Sequence, residues 1–295
     1  MTRKELWARH RDVCLDNCLK LLDITLFDKQ DKILRCHKRY KTVRSGRGTA
    51  KSYSCALTLY QLLFFSGFIK EPLTIIIAAP KADSSKYVFK HLHEFLKRAP
   101  LDKVWSDLKI ISDNCGSHSN FKKSMYFLNG TEITTATCKD ADMKDVRGPA
   151  ADYIIVDEFG VMDYQQEFID AAYWTFNRPH TIGEMIIVGT PDPRIDAGLG
   201  EVFDKLFEAG QSDDPRFIDY ESFQLKAEDC PYQDKTLMQS AMGIISADAL
   251  AREGDGEMIP AGGRMFDRFN ASMLTPNTFD QTLPYFMCLD FGYRK

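Results

Sequence analysis

Apolar positions along this chain switch between helical spacing and continuous short runs, and the switches mark out the elements. Residues 4–25 carry apolar side chains at mixed helical spacing (Leu6, Trp7, Val13, Leu15, Leu19, Leu22), which predicts one or two helices. Phe27 to Arg39 reads as helical after Asp28, and Lys41 to Arg44 as a short strand. Ser52 to Phe68 presents a broad apolar face through Leu57, Leu59, Leu62, Leu63 and Phe64, the pattern of a helix. Leu73 to Ala79 is an unbroken apolar run ended by Pro80, as in a strand buried on both faces of a parallel sheet. Lys86 to Arg98 is helical again. Ser124 to Thr137 predicts a hairpin, with Asn129-Gly130 accepting the positive φ angles of a type I′ turn. Tyr153 to Val156 and Met185 to Val188 are two more buried strands, separated by helical sequence from Gln166 to Phe176.

Strands alternating with helices predict an α/β fold, an open and mostly parallel sheet with flanking helices. After residue 205 the pattern weakens into charged, proline-containing segments with short helices (Lys235 to Met242, Ser246 to Glu253). A small, mainly helical lid subdomain is expected there. Residues 285–292 begin a new strand. The expected organisation is a core with N-terminal helices over 1–205, a lid or linker over 206–282, and the first strand of a further domain over 283–295.

The 295 residues are 44% hydrophobic and 27% charged, the make-up of an ordinary globular protein. No purely apolar run reaches the ~18–20 residues that span a bilayer. The N-terminus is charged and lacks an apolar signal core, so an intracellular protein with no membrane partner is expected. A net charge of −4 excludes a bulk basic footprint, which leaves a local basic face or an oligomer for any nucleic-acid contact. Phe121-Lys122-Lys123 and the segment Lys81 to Lys97 are the candidate stretches. Eight cysteines are scattered without a Cys-x-x-Cys pair, the usage of free, mostly buried thiols.

Three strand ends carry candidate chemistry. Residues 45–52 read Ser-Gly-Arg-Gly-Thr-Ala-Lys-Ser between a strand and a helix. The phosphate-loop pattern is Gly-x-x-x-x-Gly-Lys-[Ser/Thr]. Here Ser45 and Ala50 stand at its two glycine positions, and Gly46 and Gly48 lie inside. Small residues let backbone amides close around a β-phosphate, and the following helix adds its positive end. Lys51 would bridge the β- and γ-phosphates and Ser52 would place its hydroxyl on Mg²⁺, with Arg44, Arg47 and Thr49 beside or within the loop. A glycine- and serine-rich turn before an ordinary helix would look much the same. Asp157-Glu158 follow four apolar strand residues and emerge where α/β sheets bind ligands. Asp157 would hold the metal and Glu158 would polarise the attacking water. Thr190, at the end of Ile186-Ile187-Val188-Gly189, would reach the γ-phosphate or its water. Together these point to an ATP-hydrolysing core using Mg²⁺.

With these residues in place, the chain resembles over nearly its whole length the ATPase part of a viral large terminase subunit, the motor that packages DNA into capsids. The loop Arg44 to Ser52, with an arginine inside it, is similar to that family's phosphate loop. Asp157-Glu158 matches its acidic pair and Gly189-Thr190-Pro191 its coupling motif. The resemblance implies that Gln30 reads adenine and that Arg147, in Val146-Arg147-Gly148-Pro149, is an arginine finger for a neighbouring subunit. It also implies that Ser246 to Phe266 belongs to a lid. Leu289-Asp290-Phe291-Gly292 would open a ribonuclease H-like nuclease, with Asp290 as its first metal ligand. A two-metal nuclease needs further carboxylates, so this chain is not expected to cut DNA. Implied partners are double-stranded DNA, the portal protein, the small terminase subunit and other copies of the chain in a ring on the capsid, in the cytoplasm of the infected host cell. A helicase-like ATPase and a nucleotide-binding scaffold that does not hydrolyse remain alternatives.

Overall fold

A computed structural model describes residues 1–81, 84–115, 123–148, 150–192, 201–233 and 245–258. The chain divides into two units, Met1–Ala261 and Gly262–Lys295. The second unit, and with it the strand expected at 283–295 and Asp290, lies outside the described residues, as does the helix expected over Lys235 to Met242.

In the first unit an N-terminal helix, α1 (Arg3–Leu22), starts at a capping box. Thr2 Oγ1 accepts from the Glu5 amide at 3.2 Å, and the Thr2 amide donates to Glu5 Oε2 at 2.7 Å. A short helix, α2 (Asp28–Arg35), follows. It stops four residues earlier than the spacing suggests. Cys36 is extended and its carbonyl accepts from the buried Lys41 ammonium at 3.3 Å, which turns the chain into the sheet. Then come β1 (Tyr40–Ser45), α3 (Lys51–Ile69), β2 (Thr74–Ala79) and α4 (Lys86–Arg98). They are followed by β3 (Ile110–Asp113), β4 (Ser124–Phe127), β5 (Glu132–Thr137) and β6 (Tyr153–Val156). The order closes with α5 (Gln165–Phe176), β7 (Glu184–Gly189), α6 (Glu201–Ala209), β8 (Tyr220–Leu225) and α7 (Ala247–Glu253).

The eight strands form one sheet in the order β3-β4-β5-β2-β6-β7-β1-β8. From β5 to β8 every neighbouring pair is parallel; β3-β4 and β4-β5 are antiparallel. Alternating strand residues face opposite layers. Ile75, Ile77, Tyr153, Ile155, Ile186 and Val188 join the apolar cluster containing α1, α3 and α4 residues. Ile76, Ala78, Ile154, Val156, Met185 and Ile187 join the cluster of Phe168, Ala172 and Phe176 of α5 with Phe203 of α6. Both faces are covered, which is why the strands read as unbroken apolar runs. α3 is long and apolar enough to cross a bilayer by length and composition alone, but it is buried along 54–67 in the core.

Three sequence expectations are corrected. The core does not end at 205. α6 crosses that boundary, and β8 pairs with β1 from Tyr40↔Tyr220 to Ser45↔Leu225 as an edge strand. Only Ser222 and Leu225 of β8 are buried, so its apolar signal is thin. The hairpin turn is not type I′. Gly130 alone has positive φ (+87°), its amide donates to the Phe127 carbonyl at 3.0 Å, and the Phe127 amide donates to the Thr131 carbonyl at 2.9 Å. This is a three-residue loop ending in a left-handed glycine. Asn129 spends its side chain elsewhere, donating to Ser66 Oγ at 2.8 Å and accepting from the Thr131 amide at 2.9 Å. Lys123, a candidate for gripping DNA, is 2% exposed.

α1 is fastened to the end of the sheet where β1 and β7 begin. Glu184 Oε2 accepts from Lys41 Nζ at 2.7 Å, while its Oε1 accepts from Arg11 at 3.1 Å and from Trp7 Nε1 at 3.0 Å. Arg3 donates to both oxygens of Asp152, which itself caps the amides of Thr74 and Ile182. The seven described cysteines are free, and all but Cys36 are buried.

Candidate nucleotide site

The sheet order decides the site. β7 lies between β1 and β6, so the loop after β1, Thr190 after β7 and the acidic pair after β6 emerge side by side at one edge. The loop from Ser45 to Ala50 wraps the start of α3. Gly48 and Ala50 take positive φ, +71° and +64°. Ala50 is the N-cap of α3 and makes no side-chain cap, which leaves the helix start open to an anion. Beneath the loop, Thr49 Oγ1 donates to the Gly46 carbonyl at 2.9 Å and meets Ser45 Oγ in a hydrogen bond.

Lys51 Nζ donates to the Gly46 carbonyl at 2.6 Å and to Thr190 Oγ1 at 3.1 Å. Ser52 Oγ donates to Asp157 Oδ2 at 3.3 Å. Asp157 is 2% exposed and also accepts from the Glu158 amide at 3.0 Å. Burial, reinforced by the Glu158 carboxylate, pushes the Asp157 carboxyl up to about 6 against the pull of Lys51 and Ser52. Burial lowers the Lys51 ammonium, although Asp157 and Glu158 favour its charge. Glu158 is exposed, holds a left-handed backbone (φ 58°) and accepts from Ser84 Oγ at 2.8 Å.

A cleft of about 990 Å³ opens over these groups. Of the sequence-derived residues, Arg47, Gly48, Thr49, Ala50, Lys51, Ser52, Glu158 and Thr190 line it. Ser45 and Gly46 are buried, and Asp157 sits behind Ser52. Arg44 does not face the cleft: it pairs with Asp204 and stacks over the Phe207 ring at 4.0 Å. Gln30 is buried, its amide donating to Ser54 Oγ at 2.9 Å. Arg147 is exposed between β5 and β6 and is not part of the lining.

Sequence reasoning missed the aromatic lining, Tyr53, Tyr87, His91 and Tyr232, and the support from Ser84. It also missed the contact of α7 with the loop. The Arg47 amide donates to the Glu253 carbonyl at 2.6 Å, and the Arg47 guanidinium pairs with the Glu253 carboxylate. A side chain at Gly46 would run into the Gly254 carbonyl. Tyr87 and His91 share one face of α4 at i,i+4 spacing, but Tyr53, Tyr232, Ser84 and α7 come from separate elements and share no local pattern with them. Among the described residues no group of three or more potential metal ligands occurs, so a metal here would be held with help from its nucleotide.

No protein-family model matches the sequence, and no match is found among curated proteins. Solved structures do match. The ATPase domain of the large terminase of Thermus phage P74-26 superposes with a TM-score of 0.63 at 17% identity, over 83% of this chain and 98% of that one. The large terminase of a thermophilic bacteriophage in complex with ADP gives a TM-score of 0.55 at 12% identity, over 80% of this chain and 54% of that one. The same phage protein in complex with ATP-gamma-S gives 0.54 at 13%, over 84% and 57%. This chain has the fold of the phage large terminase ATPase domain.

Proposed function

We propose that the protein is the ATP-hydrolysing motor subunit of a viral DNA-packaging terminase. The observation that carries the reading is the convergence of Lys51, Ser52, Thr190 and Glu158 on one cleft at the open end of an uncapped helix, with Asp157 directly behind Ser52. Solved neighbours of this fold hold ADP and ATP-gamma-S.

Loop amides and the start of α3 take the phosphates, and Lys51 bridges the β and γ positions. A triphosphate supplies further counter-charge to half-buried Lys51, which already faces Asp157 and Glu158. The hydroxyl of Ser52 and the buried carboxylate of Asp157 are hard oxygen donors that fit Mg²⁺. The metal's chemistry, when bound, is to neutralise charge on the β- and γ-oxygens. Glu158, oriented by Ser84, takes the proton of the attacking water. Thr190 contacts the γ end. Arg147 is exposed, as a finger reaching a neighbouring subunit must be. The Arg47 amide leaves Glu253 when it turns to phosphate, which couples nucleotide to α7. Double-stranded DNA, portal protein, small subunit and a homo-oligomeric ring in the infected cell's cytoplasm complete the proposal.

Phosphate release from the wild type and from Glu158→Gln tests it. Turnover in the wild type, lost in the variant with nucleotide binding retained, supports the motor. No release from either leaves the non-hydrolysing scaffold.

A further inference from the structure

The cleft runs on past the phosphate loop, and there its lining becomes aromatic. Tyr53 stands on the first turn of α3, braced edge-on by His91 at 5.4 Å and Phe95 at 5.0 Å between ring centres. Tyr232 enters from the segment after β8 and is 77% exposed. That segment is fixed over the loop by Gln233, whose Nε2 donates to the Arg47 carbonyl at 3.3 Å.

A triphosphate whose γ end lies between Lys51, Thr190 and Glu158 has its α end beside Ser52 and Tyr53. The nucleoside then leaves the loop towards Tyr53, along the stretch of the cleft that Tyr232 also lines. Gln30 is not part of that lining: the residue is 3% exposed and its Nε2 donates to Ser54 Oγ.

We infer that the nucleotide base is held by stacking, with Tyr232 over one face and Tyr53 backing the other, instead of being read by Gln30. The inference rests on the nucleotide reading of the loop. Every base presents a π face, so stacking recognises a base without identifying it. The site consequently binds ATP and GTP with similar affinity. A phenol ring left bare in the free protein becomes covered when the base is present.

Dissociation constants for Mg·ATP, Mg·GTP and inorganic tripolyphosphate with Mg²⁺, measured by calorimetry on wild type, Tyr232→Ala, Tyr232→Phe and Gln30→Ala, test this. Tyr232→Ala is expected to weaken both nucleotides about tenfold, to leave tripolyphosphate unchanged, and to be rescued by Tyr232→Phe. An unchanged ATP constant in Tyr232→Ala, or a strong wild-type preference for ATP over GTP that Gln30→Ala removes, overturns the inference while leaving the phosphate site standing. Failure of tripolyphosphate and of both nucleotides to bind the wild type removes the phosphate site itself. Tyr232 is on the surface, and matching melting curves establish that each variant is folded.

Discussion

Asp157→Asn is expected to stabilise the nucleotide-free protein, in a way that depends on pH. Asp157 is 2% exposed and its carboxyl is moved from 3.8 to about 6, first by burial and then by Glu158. The folded state therefore binds the proton more tightly than the unfolded chain. The protonated form's contribution to stability is fully present below about pH 3.8 and is lost as pH rises through about 6. Above that, holding the ionised carboxylate in place costs about 3 kcal/mol. Asparagine keeps an oxygen for Ser52 or the Glu158 amide and does not titrate. At pH 8 the variant should be more stable by about 2–3 kcal/mol, a rise in melting temperature of about 3–5 °C. At pH 4 the difference should nearly vanish. Scanning calorimetry in EDTA at pH 4, 6 and 8 reads it. Equal stability of the two proteins at pH 8, or the same gap at pH 4 and pH 8, would show that the buried charge is not what the site costs the fold. With Mg²⁺ and ATP the order should reverse, because only the wild type gains the linked binding energy.

Ala50→Gly relieves a left-handed alanine (φ 64°) and should stabilise the fold by about 1 kcal/mol, read as an upward shift in a urea midpoint without a change of slope. Glu184→Ala strands Lys41 and Arg11 in the core and should cost about 3–5 kcal/mol; a loss under 1 kcal/mol by the same method would mean that water reaches both cations. Lys51→Ala should abolish phosphate release while leaving the circular dichroism spectrum unchanged, and persistent turnover would remove Lys51 from the phosphate site. Arg147→Ala should keep nucleotide affinity but lose turnover in the assembled protein; doping it into wild type should depress activity more steeply than dilution, and a linear response would place its effect within its own subunit.

Much of the site was legible because its signals are local. The apolar runs Leu73 to Ala79 and Tyr153 to Val156 end abruptly in Pro80 and in Asp157-Glu158, and a buried parallel strand stops where its residues become polar. Period and terminators therefore placed α1 to α5, α7 and most strands to within a few residues, whereas α6 and β3 were not anticipated. β8 escaped because an edge strand with two buried side chains has no continuous apolar run to display. Asn129 escaped because its bond to Ser66 on α3 is invisible in the turn's own letters.

The chain's own order of residues determined which strand ends are candidates for chemistry: a small-residue loop before Lys51, a carboxylate pair after an apolar strand, and a threonine before a proline. Only the tertiary structure decided that β7 lies between β1 and β6, and so that Lys51 meets Thr190 and Ser52 meets Asp157. The same packing turned Arg44 towards α6 and Gln30 towards Ser54, and laid Glu253 on Arg47. Periodicity is a property of neighbours in the chain, whereas strand order and side-chain partners come from burying faces separated by tens to hundreds of residues, where a local pattern holds no information.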